Sequence, residues 1–332
     1  MRYETVAVIG GSGFIGEYLI AQLLSAGHQV RVAVSQHAHA QHLKKWPVSV
    51  TQCDVHDPVQ LTSFLEGADA VVNLVGILQD KRAQPYGAAF KRAHVDLPAK
   101  IVLACVAADI RRLLHMSALG ADSFGTSMYL RSKGDGEKAV MAGREPPMNL
   151  LTTIFRPSVV FGPKDKFLNT FASMQKVIPV IPLACAQAKF QPVFVGDVAR
   201  AMVNALENDA TIGHAYELGG PRIYTLEEVV HFAGTASGHP RTIIALPLWA
   251  ARMQGAIFEC LPNAPITRDN IDSMMVDSVT RGPIDPALGV EPVSMEVVAG
   301  EYLKGRPVSR SFAAEFDSTA VPVGAPADQQ AP

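Results

Sequence analysis

Three glycines at three-residue spacing, set directly behind a short apolar run, constrain this chain more than any other feature. Residues 5–16 read TVAVIGGSGFIG, with Gly10, Gly13 and Gly16 in the turn. Residues 5–9 are mostly apolar and β-favouring, and residues 14–24 are apolar with a helical period. A buried strand, a glycine turn and a helix form the βα unit that binds dinucleotides. Gly10 lets the chain turn off the strand end. Gly13 lets the backbone approach a pyrophosphate with no Cβ in the way, and Gly16 lets the helix lie close to the strand. The free N–H groups and positive dipole end of the helix then face the phosphates.

The chain is long enough, at 332 residues and 48% hydrophobic, for one large α/β domain or a domain with a smaller satellite. A formal charge of −2 gives no electrostatic case for a nucleic-acid partner. The four cysteines, Cys53, Cys105, Cys185 and Cys260, have no CxxC spacing and read as reduced thiols. Strand one begins almost at Met1, so no signal peptide is expected. No apolar run reaches the ~18–20 residues of a membrane helix. The expected location is cytoplasmic, or peripheral at the inner face of a membrane.

Strand two covers 29–34. An acid at its end would bind the adenosine ribose and favour NAD, but the chain has Ser35, Gln36 and His37 there. With no carboxylate to repel a 2′-phosphate, the expectation is NADP(H) over NAD(H), with Ser35 as a donor and His37, Lys44 or Lys45 adding charge. The His37, His39, His42 run matches no zinc spacing and reads as a solvated loop or helix start, so no metal is expected. Strand three, 48–53, ends at Asp54 and Val55. Asp54 either accepts from the adenine amino group or starts a turn, and Val55 covers a ring face. Asp57 N-caps a helix over 58–66 with Pro58 at its first position. Strand four, 68–75, ends in Leu74, Val75 and Gly76 beside the cofactor, with Gly76 open to close backbone approach. A helix follows over 86–109, with His94 in a core or capping role.

Strand five, 112–117, leads to the second constellation. Tyr129 and Lys133 stand at i and i+4, on one helix face. A phenol with a pKa of about 10 is a poor acid or base near neutrality, and a nearby ammonium lowers that value. The same lysine can hold ribose hydroxyls. Ser117 is the expected orienting hydroxyl for a substrate carbonyl, with Ser127 as the alternative. Strand six covers 149–155, and Arg156 caps strand ends. A helix over 167–176, a Pro-punctuated stretch at 177–183, a short strand before a helix N-capped by Asp197, and a capping box at Thr225 and Glu228 complete the core. Residues 247–261 are apolar on most faces and read as a lid packed on the core.

The fold expected is α/β: a Rossmann-type doubly wound parallel sheet with a small, mostly helical C-terminal cap. Residues 1–163 would form the nucleotide-binding core. Residues 164–305 would hold the last core elements, about 190–235, and the cap, and 306–332 a disordered tail.

The Gly-rich spacing resembles the short-chain dehydrogenase/reductase superfamily, in its extended and atypical branches. Residues 115–121 (HMSALGA), 129–133 with Gly136 and Glu137, 161–169 (FGPKDKFLN), 190–198 (FQPVFVGDV) and 265–270 (PITRDN) narrow this. Together they resemble the nucleotide-binding accessory subunit family of respiratory complex I and its bacterial relatives, over about residues 4–300. The resemblance implies a tightly held NAD(P)H at Gly10, Ser12, Gly13, Phe14, Ile15, Gly16, Asp54, Val55, Gly76, Tyr129, Lys133 and Pro157. Many members carry a basic residue where this chain has Ser35.

Three functions follow. The first is an oxidoreductase acting on a carbonyl or hydroxyl of a lipophilic, quinone-like molecule through Tyr129, Lys133 and Ser117. The second is a non-catalytic nucleotide-holding accessory protein, docked peripherally on a membrane respiratory complex or serving quinone biosynthesis. The third is a nucleotide-sugar epimerase or dehydratase, for which the chain shows no sugar-nucleotide signature.

Overall fold

The computed structural model describes residues 3–260 and 264–305. The expected tail at 306–332 and the Leu261 end of the apolar segment lie outside them. The chain opens with β1 (Thr5–Ile9), α1 (Phe14–Ser25), β2 (Gln29–Val34), β3 (Ser49–Gln52), α2 (Pro58–Leu65) and β4 (Ala70–Asn73). A helical run over 88–107 starts as α3 (Ala88–Phe90), passes through a π-helical stretch at Lys91–Asp96 and continues as α4 (Leu97–Ala107). Then come β5 (Arg112–Met116), α5 (Met128–Ala142), β6 (Leu151–Pro157), β7 (Val160–Phe161), α6 (Leu168–Val177) and β8 (Val180–Leu183). After β9 (Lys189–Phe190), β10 (Val193–Phe194) and α7 (Val195–Glu207), the chain returns to the sheet as β11 (Ala215–Leu218).

The central sheet has seven strands in the order β11-β6-β5-β4-β1-β2-β3. Every neighbouring pair is parallel. Strand β1 lies between β2 and β4, where the direction of winding reverses. In such sheets the ligand crevice opens at this point, outside the carboxyl ends of the strands. The expected Rossmann-type architecture is therefore present.

Alternation along β1 explains its continuous apolar run. Val6 and Val8 join one core layer with Leu19 and Ile20 of α1 and Val198 and Met202 of α7. Ala7 and Ile9 join the opposite layer with Leu61 of α2 and Leu97 and Ile101 of α4. With both faces covered, a polar residue inside β1 would be buried on either side.

The C-terminal part contains β12 (Tyr224–Thr225), α8 (Leu226–Ala236), β13 (Thr242–Ala245), α9 (Leu248–Phe258), α10 (Arg268–Ser273) and α11 (Met295–Tyr302). The capping box of Thr225 and Glu228 forms as expected, and Asp57 caps α2 through the Val59 and Gln60 N–H groups. Asp197 does not cap α7. The helix starts two residues earlier, after Phe194, and the buried Asp197 carboxylate accepts the Val293 N–H at 2.8 Å. Nor is the apolar α9 a lid packed by its large residues. Only Ala251 and Gly255 are buried, against α10, while Trp249, Met253 and Ile257 are 70%, 55% and 60% exposed. Small residues face inward because the helices approach too closely for large ones. No helix among the described residues is long and apolar enough to cross a membrane.

Candidate functional site

The glycine turn sits where β1 ends. Gly10 has φ +85°, and a Cβ there would stand 3.1 Å from the backbone of Leu74 and Val75, so the turn and the end of β4 touch. Gly16 has a different neighbour from the expected strand: its Cβ would fall 2.3 Å from the Gly11 carbonyl oxygen. The first turn of α1 thus closes on the turn's own backbone. No side chain caps α1 at Gly13, so its leading N–H groups remain available to an anion. Ser12 is half-buried and Gly13 is exposed. Phe14 and Ile15 pack inward against the cluster that includes Phe161 and Val195.

On the adenine side of the expected site, Ser35 is exposed with its Oγ 3.3 Å from His39 Nδ1. No carboxylate stands at that strand end. Asp54 does start a turn, since its Oδ1 accepts the His56 N–H at 2.9 Å. Its carboxylate remains exposed, 3.9 Å from the Arg92 guanidinium. Val55 is partly buried against the α2/α4 layer.

Beyond β4, Asn73 and His115 of β5 orient one another. The Asn73 Oδ1 accepts the Val75 N–H at 3.1 Å, so its Nδ2 donates to His115 Nδ1 at 3.1 Å. That leaves the imidazole proton on Nε2. Burial, aided by the Lys133 charge, pushes His115 down to about 3. His94 is fixed in the opposite tautomer. Its Nε2 accepts the Ile77 N–H at 3.0 Å, so Nδ1 donates to Ser132 Oγ at 2.8 Å, and Ser132 donates on to the Tyr129 carbonyl. Burial and the nearby Lys133 push His94 down to about 2. A neutral imidazole whose acceptor nitrogen faces an amide N–H cannot relay protons. His94 is a core bridge between the β4 turn and α5, in keeping with its expected role.

Helix α5 carries Tyr129, Lys133 and Glu137 along one face. The Lys133 Nζ is buried and donates to the Met116 carbonyl at 2.8 Å. It also lies 3.9 Å from where a Cβ on Gly76 would stand. Burial lowers Lys133 to about 8, partly countered by Glu137. The Glu137 carboxylate is buried and held by Arg156 of β6, with Nε donating to Oε1 at 2.8 Å and Nη2 to Oε2. Arg156 is therefore an ion-pair partner rather than a strand cap.

Tyr129 is half-buried, its ring edge-on to Phe90 and His94. The expected lowering of its pKa by Lys133 is not found: burial raises the phenol to about 12, and the lysine ammonium donates to the Met116 carbonyl. The phenol is thus a proton donor throughout the neutral range. Ser117 has a buried Oγ with no partner. Ser127 is committed elsewhere: it N-caps α5 through the Leu130 N–H and receives the Ser273 hydroxyl at 2.8 Å. Pro157 is buried at the end of β6, its carbonyl accepting the Leu119 N–H at 2.9 Å.

The structure therefore brings Gly76, Ser117, Tyr129 and Lys133 to the carboxyl ends of β4 and β5, next to the glycine turn. A buried hydroxyl without a partner and an uncapped helix start both fit a polar, phosphate-bearing cofactor. Ser35 and Asp54 lie at the far, exposed side. Sequence reading assigned no role to Gly11, Asn73 or Glu137. A second glycine beside Gly10, and a carboxylate one helical turn beyond Lys133, were the available signals. Two surface hollows, of about 320 Å³ beside Gln191 and Thr280 and about 610 Å³ on the outer face of α8, include none of these residues.

Residues 6–219 match the model of the NAD dependent epimerase/dehydratase family. A mitochondrial protein of Mus musculus, NADH dehydrogenase [ubiquinone] 1 alpha subcomplex subunit 9, is 28% identical over 94% of this chain and 83% of its own length. The expected kinship with the complex I accessory subunit is thereby met. The ceramide reductase of Caulobacter vibrioides is 27% identical over 78% of this chain and 80% of its own. Among solved structures, the dTDP-glucose 4,6-dehydratase DesIV of Streptomyces venezuelae, with NAD bound, superposes with a TM-score of 0.63. It is 22% identical over 73% of this chain and 85% of its own, a likeness of fold.

Proposed function

Because the chain belongs to the NAD-dependent epimerase/dehydratase family, we propose that it holds a nicotinamide adenine dinucleotide outside β1, β2 and β4 and acts as an oxidoreductase. The substrate is a carbonyl or hydroxyl compound, lipophilic or quinone-like. Gly10, Ser12, Gly13, Phe14, Ile15 and Gly16 would receive the pyrophosphate. Ser35, Asp54 and Val55 would border the adenosine, and Leu74, Val75, Gly76, Lys133 and Pro157 the nicotinamide end. NADP(H) is favoured over NAD(H), because no acid at the end of β2 repels a 2′-phosphate and Ser35 offers a donor. When bound, the cofactor supplies or accepts a hydride.

The chain's own groups handle the proton and the oxygen. The neutral Tyr129 hydroxyl donates to an oxygen that gains negative charge, a task suited to a group positioned within hydrogen-bond reach. The Lys133 ammonium sits one turn away, held at the Met116 carbonyl, where it would hold ribose hydroxyls of the cofactor rather than lower the phenol's pKa. Ser117 Oγ orients the substrate oxygen. The observation that carries this reading is the buried Lys133 ammonium beside Gly76, next in the fold to the unpartnered Ser117 hydroxyl. The test begins with the nucleotide released from purified protein and identified by mass. Added NADPH should then be oxidised by a short-chain quinone or a 3-oxo ester, and Tyr129→Phe should abolish this without changing NADPH affinity. Unchanged turnover in Tyr129→Phe rules the mechanism out.

A second reading rests on α9. Trp249, Met253 and Ile257 form an exposed apolar stripe at i, i+4 and i+8, the kind of surface that docks on a partner. With relatives named as subunits of NADH dehydrogenase, it supports a nucleotide-holding protein seated on a respiratory complex. Co-fractionation with such a complex, lost in Trp249→Asp, would favour it. A bound nucleotide that exchanges freely and turns over would favour the enzyme.

A further inference from the structure

The first turn of α5 is closed by a residue far along the chain. The Asp269 Oδ1 accepts the Met128 N–H at 2.7 Å and its Oδ2 the Tyr129 N–H at 3.1 Å. The leading N–H groups of a helix have no partner within it, and a carboxylate there is favoured by both hydrogen bonding and the helix dipole. Ser127 takes only the next N–H, that of Leu130. Asp269 is 5% exposed and its carboxyl is raised by burial, with the two amide bonds acting against that rise. Among the described residues no cation lies at ion-pair distance from it. Its two amide bonds, with a smaller contribution from the Arg131 charge, offset the burial of the carboxylate.

Tyr129 is the second residue of α5, so fraying of the first turn would move its phenol while leaving Lys133 in place. Lys133, one turn later, is held independently through the Met116 carbonyl. The i, i+4 relation between the two side chains thus depends on the cap. Asp269 is itself well placed to act as one. Thr267 and Asn270 form a reciprocal capping box that fixes the start of α10. Ser273 of the same helix reaches Ser127, and Thr126 reaches the Asp272 carbonyl. The segment is also tied to the β4 side, where Gln79 donates to the Ala264 carbonyl at 2.7 Å and Asn270 to that of Leu78 at 3.3 Å.

We propose that Asp269 is a positioning residue: by closing the first turn of α5, it sets the Tyr129 phenol relative to Lys133. The C-terminal part of the chain thereby determines the geometry of the pair. The catalytic role of that pair rests on the function proposed above, whereas the placement of the ring does not.

The test uses the full chain labelled with 3-fluorotyrosine. The Tyr129 resonance is the one of seven that vanishes in Tyr129→Phe. In Asp269→Asn, that resonance should shift and broaden. The Met128 and Tyr129 amides should exchange about ten- to hundredfold faster, as expected for losing hydrogen bonds to a charged acceptor. Gln79→Ala removes one peripheral tie at Ala264 and leaves the Thr267–Asn270 capping box and the Ser273 and Thr126 contacts in place, so it should leave both unchanged. An unmoved Tyr129 resonance in Asp269→Asn, or an equal change in Gln79→Ala, overturns the proposal. So does rapid exchange of the Met128 and Tyr129 amides in the wild-type chain, a measurement that stands even if Asp269→Asn does not fold. A parallel NADPH titration keeps the two readings apart: failure of the wild type to bind removes the proposed function and leaves the resonance test intact. Where turnover is measurable, Asp269→Asn should lower kcat by about tenfold or more while the NADPH Kd stays within about twofold. An unchanged kcat in Asp269→Asn, where Tyr129→Phe has lost activity, overturns the proposal.

Discussion

Acid should destabilise this fold steeply between pH 7 and 5, through two histidines beside the candidate site. His94 and His115 are buried and neutral, with pKa values pushed down to about 2 and about 3. In the unfolded chain each returns to about 6.5. Below that value the unfolded state binds protons that the folded state refuses. The stability each contributes is present in full above about 6.5 and is lost as pH falls towards the folded values, at about 1.4 kcal/mol per pH unit for each group. From pH 7 to 5 each histidine should cost about 2 kcal/mol, and the pair about 4 kcal/mol. The result barely depends on the folded values provided both stay below about 4. It is a large share of a typical stability of about 5–15 kcal/mol. Urea unfolding at pH 7, 6 and 5 measures it, in the wild type and in His115→Asn, which cannot titrate at that position. Asp269, raised by burial, works in the opposite direction, but it is present in both chains and cancels in their difference. The variant should lose about 2 kcal/mol less than the wild type across this range. Equal losses in the two proteins would mean that folded His115 carries a proton, and would refute the tautomer assignment through Asn73.

Other perturbations test other parts of the site. Gly16→Ala places a Cβ against the Gly11 carbonyl, so it should cost about 1–3 kcal/mol and abolish NADPH binding in a fluorescence titration. Glu137→Gln leaves the Arg156 guanidinium without its carboxylate. Thermal unfolding should register a loss of about 3 kcal/mol, the lower end for breaking a buried pair because Arg156 is partly exposed. NADPH affinity should weaken as pH rises through about 8, where Lys133 loses its proton, and Lys133→Met should bind more weakly with no such dependence.

Much of the architecture was legible because its causes are local. The glycine turn, the two-sided apolar run of β1, the Asp57 and Thr225 caps, and the Tyr129–Lys133 spacing all follow from residues within a few positions of one another. The family resemblance drew on the same short stretches. Where the sequence reading failed, the deciding partner lay elsewhere in the chain. Asp197 looks like an N-cap until Val293 is seen donating to it. Arg156 looks like a strand cap until α5 brings Glu137 to it. Residues 248–258 are apolar enough to suggest a packed lid, yet only packing against α10 decides that Ala251 and Gly255 face inward and Trp249 outward.

The sequence by itself determined that a Rossmann-type sheet forms with a glycine-rich turn at its centre, and which tyrosine and lysine share a helix face. Hydrophobic period, turn chemistry and helix spacing are properties of contiguous residues. Only the tertiary structure decided what state those side chains are in. It turned the Lys133 ammonium to the Met116 carbonyl, raised the Tyr129 phenol by burial and fixed two histidines as neutral. It also set the Asp269 carboxylate on the first turn of α5. Desolvation and hydrogen bonding set these states. Both depend on which distant segments close over a group, so no local pattern in the chain encodes them.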